Sequence, residues 1–187
     1  MEFRRGFKSE VEALVRSIRE EYGCGQLDAL DPLDLAAHLS IPVLPLSAID
    51  PETWLEFSGS SLRQRFHAAT IRDGSRHLIV HNDEASIVRQ RSNIAHELGH
   101  IFLEHEHPPI NSGEELVADK GVEAEANWFG FALLIPQESA LALARSRMSD
   151  EAAADRMGVS VEAVRFRING TGSRKRADNE RRRRTQW

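Results

Sequence analysis

The sequence predicts an α+β fold: a helical core carrying a small antiparallel β-sheet, plus a C-terminal helix pair. Three observations predict it. Apolar residues recur at helical spacing in several separate segments; one stretch alone reads as a hairpin; and the strands sit together between helices instead of alternating with them. The 187 residues suit one catalytic-size domain with a small appendage, and 41% apolar residues are enough to build a core.

Val11, Leu14, Val15 and Ile18 repeat with helical period, and Gly23 and Gly25 stop that helix. Asp31-Pro32 starts a second one with proline at its first position, running to about Leu39. Ile41 to Leu46 is a short extended piece limited by Pro42 and Pro45, and Ser58-Gly59-Ser60-Ser61 marks a loop. Arg65 to Arg72 and His77 to His81 read as strands, with Asp73-Gly74-Ser75 as the hairpin turn between them.

A long helix follows from about Ser86 to Glu104. Ile87, Ile94, Leu98 and Ile101 make its buried stripe, and Arg89, Asn93, His96 and His100 share a neighbouring, more polar face. Pro108-Pro109 breaks it, and the polar stretch from Asn111 to Asp119 reads as loop. The next helix covers about Val122 to Leu134, with Val122, Ala126, Phe129 and Leu133 toward the core, and Pro136 ends it. From Ser149 to about Ile168 two short helices meet at Gly158-Val159-Ser160. Ala154, Gly158 and Val164 have the spacing of a helix-turn-helix unit, but any tight helix pair needs a small contact residue and a turn glycine, so a DNA-reading role is the weaker interpretation.

Charge is uneven. From Thr171 onward seven Lys/Arg face two acids, a tail of +5 on a body of −10, given a net charge of −5. Such a block attracts nucleic acid or an acidic partner. No aromatic residue interleaves these arginines before Trp187, so a solvated, disordered tail is the preferred reading over DNA contact. Cys24 is the single cysteine, which excludes an internal disulfide and a thiolate metal site and fits a reducing compartment. The start has no secretory apolar region, and the longest apolar run, Trp128 to Ile135, is too short to span a bilayer. These features predict a cytoplasmic protein with no membrane association.

The densest signal is Ala95-His96-Glu97-Leu98-Gly99-His100, an H-E-x-x-H pattern inside the long helix. Residues four apart share a helix face at roughly 6 Å, so His96 and His100 can grip one metal ion while Glu97 reaches a water on it. That chemistry is metal-assisted hydrolysis, and a catalytic zinc takes a third protein ligand. A further histidine in the H-E-x-x-H-x-x-G-x-x-H pattern is excluded, because Leu103 and Glu106 occupy those positions. His105, nine residues past His96, points roughly opposite on an ideal helix and reads as a helix-end surface residue. A carboxylate from the downstream helix remains, and Glu123 and Glu125 compete, two apart and on different faces. Asn127 and Asp119 are candidate acceptors for the histidines' other ring nitrogens, and His67, His77 and His81 are candidate oxyanion donors, each of which also reads as a surface strand residue.

Taken together, Arg89-x-Arg91 ahead of the motif, Glu125-Ala126-Asn127-Trp128-Phe129, and Ala132-Leu133-Leu134-Ile135-Pro136 resemble the ImmA/IrrE family of metallo-endopeptidases over roughly Asp31 to Ser160. The resemblance implies one Zn2+ per chain, held by His96, His100 and Glu125, with Glu97 as catalytic base; Glu123 stays as the alternative ligand. Gly130 stands where that family has a small residue. Charge pattern, helix spacing and resemblance together predict three segments: a zinc metallopeptidase domain over 1–145, a helix-turn-helix-like pair over 146–170 packed on or appended to it, and the basic tail over 171–187. The implied substrate is a helix-turn-helix transcriptional repressor, cleaved to derepress stress-response or mobile-element genes. The alternative function is a non-catalytic zinc-binding partner of a transcription regulator or toxin-antitoxin pair.

Overall fold

The computed structural model describes residues 3–50, 66–105 and 119–184. The Ser/Gly-rich loop at 58–61, the proline pair at 108–109 and the polar stretch 111–118 lie outside the described residues. The α+β architecture holds: eight helices and a three-stranded sheet among the described residues.

The chain divides into two compact units. The first runs from Pro32 to Gly130. It contains α2, which follows α1 of the other unit and covers Pro32–His38, then β1 (Val43–Pro45), β2 (Ala68–Asp73), β3 (Arg76–His81), α3 (Ile87–Phe102) and most of α4 (Lys120–Leu134). β2 and β3 form the expected hairpin, closed by Gly74 at φ 60°, a left-handed conformation that glycine adopts at little cost. The expected sheet was antiparallel; the observed one is mixed, because β1 pairs parallel with β3, Val43 opposite Ile79. Order β1-β3-β2 leaves β2 at an edge among the described residues. α3 packs on α2, β2 and β3, burying Ile94 and Leu98 as anticipated, whereas Ile87 in its first turn is exposed. Ser86 caps α3 by accepting from the Arg89 N–H.

The second unit joins α1 (Phe7–Tyr22) to the chain from Phe131 on, which carries α5 (Gln137–Ser146), α6 (Asp150–Met157), α7 (Val161–Gly170) and α8 (Ser173–Arg184). Two fully buried guanidiniums hold this unit together. Arg19 donates to the carbonyls of Leu133, Gly25 and Asp28 at 2.7, 2.7 and 2.6 Å. Arg167 donates to Ile135 O at 2.9 Å and pairs with Glu12. The α6–α7 turn has Gly158 at φ 63° and Ser160 as the cap of α7. The expectation of a disordered tail is corrected: residues 173–184 form α8, packed on α5 and α7. Its small residues Ser173 and Ala177 allow the approach, Glu180 takes a two-point hydrogen bond from Arg145, and Arg181 donates to Ala144 O. Composition alone hid the four-residue spacing of those contacts.

Candidate metal centre

His96 and His100 stand one turn apart on α3, with Nε2 atoms 3.0 Å from each other. α4 passes very close to this turn because both helices are stripped to small residues. A Cβ added at Gly99 would lie 2.8 Å from Ala126 O, and one at Gly130 would lie 2.9 Å from Ala95 C and O and from His96 N. Phe102 and Phe129 stack at 5.5 Å beside the crossing. The approach sets the first turn of α4 over the histidines. Glu123 Oε2 is 3.3 Å from His96 Nε2, and its Oε1 is 3.5 Å from His100 Nε2.

The three donors lie within 4.8 Å of one another. Bonds of 2.0–2.1 Å to a tetrahedral ion separate its ligand atoms by about 3.3 Å, so this set fits one divalent cation. The proton positions agree. Asn127 Nδ2 donates to Glu123 O at 2.9 Å, which turns its Oδ1 toward His96 Nδ1 at 3.2 Å. His96 therefore carries its proton on Nδ1 and offers the Nε2 lone pair. Burial holds the His96 pKa below its ordinary value, against the upward pull of Glu123 and Asn127, and keeps the ring neutral.

Glu97 is buried, and its Oε2 accepts from the Thr70 hydroxyl at 2.8 Å. Burial pushes its pKa up to about 7; the Thr70 hydrogen bond opposes that and the Glu123 charge adds to it. A dication nearby lowers this value. The carboxyl is thus placed where it can both take and return a proton near neutrality.

Two sequence expectations need correction here. Glu125, the acid implied by the family resemblance, does not face the histidine pair: its Oε2 lies 3.5 Å from His105 Nε2, and Glu123 takes the place instead. Residues two apart on a helix differ by about 200° in direction, so α4 can aim only one of them at the pair. His105 is not a surface residue. α3 ends at Phe102, Glu104 adopts φ 53°, and the His105 N–H returns to His100 O at 3.0 Å. This αL closure folds His105 back until its Nδ1 is 3.1 Å from His100 Nδ1. Elsewhere, Asp119 accepts from the Gly121 N–H at the start of α4, His67 meets Arg89 at 3.1 Å and His81 is buried at the end of β3. Thr70 was missed by sequence reasoning, because nothing in a strand announces which residue of a later helix its hydroxyl will meet.

A sheet laid on a motif helix, and a second helix closing a cation-sized donor set, define a metallopeptidase-type protein. The chain belongs to the IrrE N-terminal-like domain family of peptidases, whose family model matches residues 56–169, more than half of its length. No curated protein matches it. No helix among the described residues is long and apolar enough to cross a membrane.

Proposed function

We propose that the protein is a zinc-dependent endopeptidase that cleaves a helix-turn-helix transcriptional repressor. The observation that carries the catalytic part is the juxtaposition of the His96, His100 and Glu123 donors with the buried carboxyl of Glu97. A zinc ion held by those donors supplies Lewis acidity to water and to the scissile carbonyl. Glu97 takes the proton of the attacking water and passes it to the leaving amine. Thr70 holds the glutamate in place through its hydroxyl. β2, which carries Thr70 and lies at a sheet edge among the described residues, offers backbone groups to an extended substrate by strand addition. The repressor substrate rests on family membership alone.

The test is Glu97→Gln. The variant should retain one zinc per chain and lose cleavage of a candidate repressor by about 100-fold or more, the usual contribution of a positioned acid–base group. Undiminished cleavage removes Glu97 from the mechanism. One zinc per chain with repressor binding but no cutting by the wild type supports instead a scaffold that binds a transcription regulator.

A further inference from the structure

His105 and Glu125 stand just outside the three donors and have no part in the reaction above. Together with His100 they form a continuous line. Glu125 Oε2 is 3.5 Å from His105 Nε2, an electrostatic contact to a buried nitrogen that makes no hydrogen bond, and His105 Nδ1 is 3.1 Å from His100 Nδ1. The far nitrogen of His100, Nε2, is the one that faces His96 and Glu123.

Proton accounting along this line leaves one arrangement. To present a lone pair at Nε2, a neutral His100 must carry its proton on Nδ1. The group facing that proton is His105 Nδ1, which must then be an acceptor. A neutral His105 therefore carries its own proton on Nε2, and the facing group is the Glu125 carboxylate. Reversing either tautomer sets two N–H groups head to head between the rings, or two lone pairs.

We infer that Glu125 and His105 are positioning residues for the cation site: one carboxylate fixes the tautomers of two imidazoles in series and so aims the His100 Nε2 lone pair at the metal. This rests on the metal reading proposed above. It gives Glu125 a role other than that of a ligand. It also makes the two ligand histidines unequal, since His96 is held by the neutral amide of Asn127 and His100 by a carboxylate one ring removed. The αL residue Glu104 matters here, because that closure delivers His105 to the line.

The test uses full-length wild type, Glu125→Ala, Glu125→Gln and Glu123→Ala. Three readouts apply: Zn2+ affinity by chelator competition, histidine tautomers by long-range 15N correlation spectra with and without Zn2+, and thermal melting as a check of folding. Glu125→Ala should bind Zn2+ about 10- to 100-fold more weakly, the usual effect of removing an outer partner, and should lose the single Nδ1–H form of His100. Glu125→Gln, whose amide oxygen can face His105 Nε2 without the charge, should recover part of both, whereas Glu123→Ala should bind more weakly than either. Wild-type affinity and tautomers in Glu125→Ala overturn the inference. So does a Glu125→Gln variant as defective as Glu123→Ala, which would make Glu125 a direct ligand. If the wild type takes up no zinc, the metal reading fails separately, and the tautomers of the metal-free proteins still decide the role of Glu125.

Discussion

Replacing Gly130 with alanine probes the contact that sets the site geometry. The new Cβ would sit 2.9 Å from three backbone atoms of α3, Ala95 C, Ala95 O and His96 N. Ordinary carbon contacts begin at about 3.5 Å, so the helices must separate by roughly half an ångström. Helix backbone cannot rotate aside as a flexible side chain can. Overpacking of this kind costs about 1–3 kcal/mol, and alanine's better helix propensity returns about 0.5–1 kcal/mol. The net loss of metal-free stability is then modest, about 0–2.5 kcal/mol by urea unfolding. The effect on the donors is larger in proportion. Glu123 rides on the same helix two turns away, about 10 Å along its axis. Metal–ligand distances tolerate only about 0.2 Å of error. Zinc affinity, read by chelator competition, should therefore fall at least about tenfold in a variant that still folds. Gly99→Ala pushes the same two helices apart, and the double variant should be less than additive. Wild-type zinc affinity in Gly130→Ala would refute the argument that the glycine contact positions Glu123.

Thr70→Val removes the hydroxyl that favours the charged form of Glu97, so the acid limb of the kcat/KM pH profile should move to higher pH with little change in zinc content. Arg167→Ala leaves Glu12 without its cationic partner, with only the Gln137 N–H still donating to it, and Ile135 O without its guanidinium donor; losing one side of a buried pair costs about 3–5 kcal/mol, and urea unfolding should show a loss of that order. Burial depresses the His81 pKa below its ordinary 6.5, opposed by the charge of Asp83. Its contribution to stability is therefore complete above that pH and is lost as the pH falls, because the unfolded chain takes up the proton first. The stability difference between wild type and His81→Leu should be flat above pH 7 and shrink or reverse below pH 6.5, by at most about 1.4 kcal/mol per pH unit; a difference independent of pH would exclude His81 as the source.

The motif helix was legible because its information is local. Period and spacing put His96 and His100 on one face and Glu97 beside them, and α3 keeps that pattern. The choice between Glu123 and Glu125 was not legible. It depends on the rotation of α4 against α3, which the contacts of Gly99 with Ala126 and of Gly130 with Ala95 decide. The small residues could be seen in the sequence, but the angle they permit could not. His105 was misplaced for a different reason: the projection assumed a helix that continued, whereas α3 stops at Phe102 and turns through Glu104, where no glycine signals the stop. β1 escaped assignment to the sheet because its three residues, Val43, Leu44 and Pro45, carry too little alternation to read.

The last turn of α4 and the residue that follows it have two carbonyls, Leu133 O and Ile135 O, held by the guanidiniums of Arg19 and Arg167. A guanidinium keeps its proton throughout the range in which proteins function. Imidazole and carboxylate donors do not. That end of the helix is thus held by donors whose charge does not depend on pH, whereas the donor set proposed for a cation has to lose its protons before it can bind one.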